Sequence, residues 1–282
     1  MPLAPSLPAG TPMLAPDVFA GQVAVITQPG DVIGQAIAAE LARGGALIVL
    51  ADATVETCAG AAAAVSEAGG AARTFAVRLD DADAVKAAFD DIERELGPVA
   101  ILINNVPDRA DLPVELMAID RWRDTTRAVL DVTFAWCREL GVRRIADGKG
   151  AAVVNTGTPY AITGGAGAAD TTAAKSAVMN LTASLAVEWA PHDIRVNGIA
   201  AGYVAGAEAG PVPEGELAVT TPAGRLGEPH EVAWAVAYMC SPFAAYLTGA
   251  TLVADGASWE RPGRSPPLFE PIRVRYDRAA KG

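Results

Sequence analysis

Lys175 is the residue around which chemistry can be assembled in this chain. An ammonium beside a phenol lowers the phenol's pKa from ~10 toward working pH, and such a pair exchanges protons with a substrate oxygen. Tyr160 and Tyr203 are the phenols that could serve as the acid beside Lys175. A tyrosine in an apolar cleft more often packs with its hydroxyl tied off. The residue one helical turn before Lys175 is Thr171, whose hydroxyl does not titrate in any useful range. Asp170 is a further candidate base, although a carboxylate at a helix start is more often a cap. The chain has no Ser-His-Asp set, no metal-ligand cluster and no P-loop, so no metal is expected. His192 and His230 read as structural.

Hydropathy patterning gives the elements that must hold these groups. Strands are expected at 23–27, 46–51, 72–78, 99–103, 151–155, 194–199 and 251–254. Helices are expected at 33–43, 54–68, 82–96, 121–145, 171–189 and 231–240. Continuous apolar strands alternating with helices mean a parallel sheet covered on both faces. Right-handed crossovers make it a doubly wound α/β fold of the Rossmann type.

The 282 residues allow one large domain or two small ones, and 51% of them are apolar, enough for a sizeable core. We expect a flexible, proline-rich arm over 1–16, a single domain over 17–258, and a basic tail over 259–282. Residues 261–282 carry a net +4 within a chain of net charge -11, so the remainder carries -15. That balance argues against nucleic acid and anionic membrane surfaces as partners. No apolar run reaches ~18 residues, the length of a membrane-spanning helix. The scattered cysteines Cys58, Cys137 and Cys240 fit a reducing cytoplasm.

Several segments together resemble the short-chain dehydrogenase/reductase family, especially its 3-oxoacyl reductase-like members, over roughly residues 20–257. They are Leu102-Ile103-Asn104-Asn105, Ile194-Arg195-Val196-Asn197, Arg225-Leu226-Gly227-Glu228-Pro229 and Tyr246-Leu247-Thr248-Gly249. The resemblance implies a nicotinamide cofactor, NAD, and a small-molecule substrate. It places Gly30, Ile33 and Gly34 at the pyrophosphate turn, Asp52 on the adenosine ribose, and Asn104 on the cofactor cleft. Thr158, Thr171 and Lys175 then fall on the family's serine, tyrosine and lysine. It also implies a tetramer built through the helices at 121–145 and 171–189 and the C-terminal segments.

The chain departs from the family where chemistry is done. The family's first turn reads T-G-x-x-x-G-x-G; here it is Thr27-Gln28-Pro29-Gly30-Asp31-Val32-Ile33-Gly34. Pro29 removes a donor, and Asp31 adds negative charge beside the pyrophosphate. Arg78 stands at the adenine-contacting aspartate, Val106-Pro107 at the small wall of the cleft, and Val129 at the relay asparagine. The catalytic tyrosine is Thr171.

These losses occur together. Weak or absent NAD binding would explain them at once, and the preferred reading is a non-catalytic subunit in a homo- or hetero-oligomer with an active related reductase. One alternative is an NAD(H)-dependent oxidoreductase of a hydroxy or keto substrate with a remodelled site that uses Tyr160 or Tyr203. Another is a non-redox dehydratase, isomerase or cyclase using Lys175, Thr158 and Asp170.

Overall fold

A computed structural model describes residues 5–106, 112–207, 221–258 and 277–278. Pro107, residues 208–220 and nearly all of the basic tail lie outside them.

Seven parallel strands form one sheet in the order β3-β2-β1-β4-β5-β6-β7. They are β1 (Val23–Thr27), β2 (Leu47–Asp52), β3 (Ala72–Ala76), β4 (Val99–Asn104), β5 (Ala151–Gly157), β6 (Ile194–Ala201) and β7 (Thr251–Ala254). The helices are α1 (Val32–Arg43), α2 (Ala59–Glu67), α3 (Ala82–Leu96), α4 (Ile119–Thr126), α5 (Val132–Asp147), α6 (Tyr160–Thr163), α7 (Ala169–Trp189) and α8 (Pro229–Cys240). The doubly wound sheet expected from the sequence is present. Its order reverses between β1 and β4, and in such sheets ligands bind beyond the carboxyl ends of the strands at that crevice.

The inner strands are mostly apolar because both of their faces are buried, whereas the edge strands β3 and β7 hold no fully buried residue. Ala24 and Ile26 of β1 join the core beneath α1 and α8, with Ile37, Leu41, Val232 and Val236. Val23 and Val25 point the other way, into the core with Phe89, Trp136, Leu140, Leu185 and Trp189. This is the two-residue alternation of a strand sorted between two helical layers.

Among the boundaries that differ from expectation, three have clear local reasons. The third strand stops at Ala76, and Arg78 turns outward to pair with Asp81, the cap of α3. The second helix is preceded by a 3-10 turn, Glu56–Cys58. The long helix expected over 121–145 is broken by a π segment, Arg127–Asp131, whose buried residue is Val129. Segments of this kind interrupt the regular ladder and often occur at functional sites.

The arm is described from residue 5 onward. Ser6 Oγ and Leu7 O both meet His230 Nε2 on α8, at 3.0 and 2.9 Å. Leu14 and Val18 pack against the α1–α8 core, and Phe19 is buried within it.

Candidate functional site

The turn after β1 runs Gln28-Pro29-Gly30-Asp31 into α1. Gln28 holds φ at 47°, the left-handed region, although it is not glycine. That conformation costs roughly 1–2 kcal/mol for a residue with a Cβ. Two contacts offset it. Gln28 Nε2 donates to Ala128 O in the π segment at 3.3 Å, and Gln28 O accepts from Asn105 Nδ2 at 2.9 Å. Gly34 is irreplaceable on steric grounds: an added Cβ would lie 2.8 Å from Pro29 Cα and 2.9 Å from Asn105 Nδ2. Val32 faces the segment after β6, its Cγ1 being 3.5 Å from where a Cβ on Gly206 would sit. Ile33, half-buried, packs against the α1–α8 core, and Gly30 is exposed beside Thr57 O.

Asp31 caps α1. Its Oδ1 accepts from Gly34 N at 2.7 Å and from Asn105 Nδ2 at 3.0 Å. The positive end of the helix dipole therefore already carries a carboxylate. At the far end of the crevice, Asp52 closes β2, half-buried, with Oδ1 on Ala53 N at 2.7 Å.

Asn104, which the family resemblance places on the cofactor cleft, is buried at the end of β4. Its buried amide donates to Asn155 Oδ1 at 2.8 Å and to Cys137 Sγ at 3.2 Å. Asn155 in turn donates to Thr182 Oγ1 at 2.8 Å, so β4, β5 and α7 are stitched together beneath the site. Burial pushes the Cys137 thiol up to about 12, which makes it an inert packing group. The neighbouring Asn105 is the asparagine that reaches the turn.

Thr158, Thr171 and Lys175 are all buried, at 4%, 2% and 2% exposure. Thr158 follows β5, while Thr171 and Lys175 lie four residues apart on α7, hence on one helix face. Among the described residues, Thr171 Oγ1 has no hydrogen-bond partner. An unpaired buried hydroxyl costs about 1–3 kcal/mol, so a free energy of that order is held at this point of the cleft.

The two sequence departures behind this face prove to be one packing arrangement. Val106 and Val129, which replace a small and a polar residue of the family, pack together with Ala174 and Val178 of α7. The carbonyl of Val129 accepts from Thr133 Oγ1 at 2.7 Å.

Tyr160 and Tyr203 are brought together. Their hydroxyls share a hydrogen bond, and their rings meet edge to face with centroids 6.2 Å apart. Tyr160 opens α6 and is 38% exposed.

Asp170 is not available as a base. It is 1% exposed and accepts from Arg121 Nε at 3.1 Å, Thr125 Oγ1 at 2.9 Å and Thr171 N at 2.9 Å. Burial opposes its charge, but the Thr125 hydroxyl, Arg121 and the Thr171 amide outweigh burial and hold its carboxyl below the usual range.

The doubly wound sheet, the helix-capped turn at its reversal point and the lysine on α7 define a dinucleotide-type α/β architecture. The chain belongs to the short-chain dehydrogenase/reductase family. The family profile described as enoyl-(acyl carrier protein) reductase matches residues 30–257. The 3-oxoacyl-[acyl-carrier-protein] reductase FabG of Vibrio harveyi is 32% identical over 243 residues, covering 85% of this chain and 98% of the relative. The peroxisomal 2,4-dienoyl-CoA reductase [(3E)-enoyl-CoA-producing] of Pongo abelii is 34% identical over 261 residues, covering 90% and 89%. The structure of NAD+-bound xylitol dehydrogenase superposes with a TM-score of 0.78 at 26% identity, covering 84% of this chain and 99% of that one. These relatives carry the names of reductases and dehydrogenases. They favour a working oxidoreductase over the non-catalytic subunit preferred from the sequence.

Proposed function

We propose that this chain is a nicotinamide-dependent reductase of a carbon–carbon double bond conjugated to a thioester carbonyl. The observation that carries this reading is the buried hydroxyl of Thr171, which has no partner among the described residues and lies one helical turn from Lys175. Such a hydroxyl donates a hydrogen bond and keeps its proton. Reducing a ketone requires a proton on oxygen, which suits an acidic phenol. Reducing a conjugated thioester leaves negative charge on the carbonyl oxygen only in passing, and the proton ends on carbon. Donors that steady an oxyanion without giving up a proton suit the second reaction. Part of the relatives' names point the same way, an enoyl reductase profile and a 2,4-dienoyl-CoA reductase, while FabG and xylitol dehydrogenase are named for oxo or hydroxy substrates.

The residues fit a nicotinamide dinucleotide at three points. Asp52 offers the ribose a carboxylate, Gly30 leaves the turn's outer backbone exposed, and Ile33 lies in the first turn of α1, whose amides have no partners within the helix. The bound dinucleotide supplies the hydride. Thr158, Thr171 and Lys175 hold the thioester oxygen, and the Tyr160–Tyr203 pair supplies a proton to the α-carbon. Hydride and proton together saturate one double bond.

The test is turnover by the full chain with NADH or NADPH. Cofactor oxidation with 2-enoyl-CoA or 2,4-dienoyl-CoA should exceed that with 3-oxoacyl-CoA by at least tenfold in kcat/KM. Tyr160→Phe or Tyr203→Phe should lower kcat by about 10²–10⁴-fold. Equal or faster reduction of the 3-oxoacyl thioester would overturn the substrate assignment, and no cofactor oxidation with any of them would overturn the reading.

A second reading, a subunit without ordinary hydride transfer that binds NAD weakly or not at all, is favoured by Asp31 at the head of α1. It predicts no calorimetric NADH binding and co-purification with a related reductase. Oligomerisation belongs to both readings. It is supported by the exposed apolar side chains Phe134 and Val142 on α5 and Val187 on α7. In either reading the proposed molecule is one domain over 17–258 with an arm over 1–16 and a basic tail over 259–282. A cytoplasmic location is supported by three free, buried cysteines, Cys58, Cys137 and Cys240.

A further inference from the structure

We propose that Asp31 is an internal counter-anion that sets the affinity of the cleft for phosphate-bearing cofactors. The inference rests on the reading that this crevice takes a nicotinamide dinucleotide. The carboxylate occupies the positive end of α1 through Gly34 N at 2.7 Å. It is held there from the other side by Asn105 Nδ2 at 3.0 Å, and the same nitrogen donates to Gln28 O at 2.9 Å. Gln28 is itself tethered to Ala128 O. The turn is thus closed by its own side chains: Asp31, Asn105 and Gln28 form one connected set that spans from α1 through β4 to the π segment.

A dinucleotide phosphate arriving at this helix end meets a negative charge rather than bare amides. Either the carboxylate leaves Gly34 N and Asn105, or the phosphate sits beside it and repels it. Affinity for the phosphates is lowered in both cases. The adenosine end, read by Asp52 at the end of β2, is untouched. Asp31 therefore acts on the charged middle of the ligand and leaves the base and ribose alone.

Asp31→Asn tests this cleanly, because asparagine retains the capping oxygen for Gly34 N and removes only the charge. Asp31→Ser is the second neutral cap. Dissociation constants for NADH, ADP-ribose and adenosine are measured by calorimetry on the full chain, with Tm recorded alongside. Both variants should tighten NADH and ADP-ribose by about tenfold to a hundredfold, the scale on which one unit charge within ~6 Å acts at partial screening, and should leave adenosine unchanged. Unchanged NADH and ADP-ribose constants in folded variants would overturn the proposal, and so would an equal shift for adenosine. If NADH binds only once Asp31 is neutralised, the proposal holds while the reductase reading of the native chain fails. If the native chain binds and turns over NADH and the variants bind no tighter, the reductase reading stands and the role of Asp31 is lost.

Discussion

Arg121 Nε donates to Asp170 Oδ2 at 3.1 Å, tying α4 to the first turn of the helix that carries Lys175. The carboxylate side chain has no exposure and the arginine side chain keeps 28%, so the pair is half-shielded from water. Removing one partner of a buried pair strands the other, at about 3–5 kcal/mol in full burial and toward the lower end here. Asp170→Ala is expected to lower Tm by roughly 6–10 °C in thermal unfolding. An unchanged Tm with lost turnover would restore Asp170 as a catalytic base.

Thr171→Val should separate stability from catalysis. The substitution replaces an unpartnered buried hydroxyl with a methyl of the same size. Stability should stay level or rise by about 1 kcal/mol, because no hydrogen bond is lost and a desolvation cost disappears. Turnover of a conjugated thioester should fall about 10²–10³-fold, as for loss of one oxyanion donor. A large drop in Tm would show that the hydroxyl is paired after all, and full activity would remove it from the site.

Asp52→Ala probes the other end of the crevice. A carboxylate at the end of β2 accepts from ribose hydroxyls and repels a 2′-phosphate. The variant should bind NADH about 10–100-fold more weakly, the worth of hydrogen bonds to a charged group, while losing less affinity for NADPH. Fluorescence titration of both cofactors decides it. Equal affinities before and after would place the adenosine elsewhere.

The cap of α8 carries a pH dependence of defined sign. Arg225 meets Glu231 through two nitrogens, each at 2.8 Å, and that pairing, against burial, brings Glu231 down to about 2. Its folded pKa lies below its unfolded value of ~4.3, so the stabilisation is fully present above that value. It is lost as pH falls toward about 2. Glu231→Gln should lower Tm at neutral pH by a few degrees, since the residue also closes the capping box on Glu228 N at 2.8 Å. The gap between native and variant should narrow as pH drops below ~4. A constant gap down to strongly acidic pH would rule out the ion pair as its source.

Much of the architecture was readable from Val23–Thr27, Leu47–Asp52 and Val99–Asn104, because strands buried on both faces are apolar along most of their length, with Thr27, Asp52 and Asn104 only at their carboxyl ends. The shared helix face of Thr171 and Lys175 was legible too, since their spacing is set within one helix. The π segment was not, because Arg127–Asp131 has ordinary helical composition and the interruption depends on what α7 and β4 press against it.

The sequence by itself determined the sheet, the missing phenol at 171 and the charge placed at 31, because each is a property of residue type and local period. Only the tertiary structure decided that Asp31 is grasped by Asn105, 74 residues away, and that Asn104 turns inward to Asn155. It also brought Tyr160 to Tyr203, and Asp170 to Arg121. These pairings join segments far apart in the chain. No local pattern encodes them, because they form only once the strands have set the distances between their carboxyl ends.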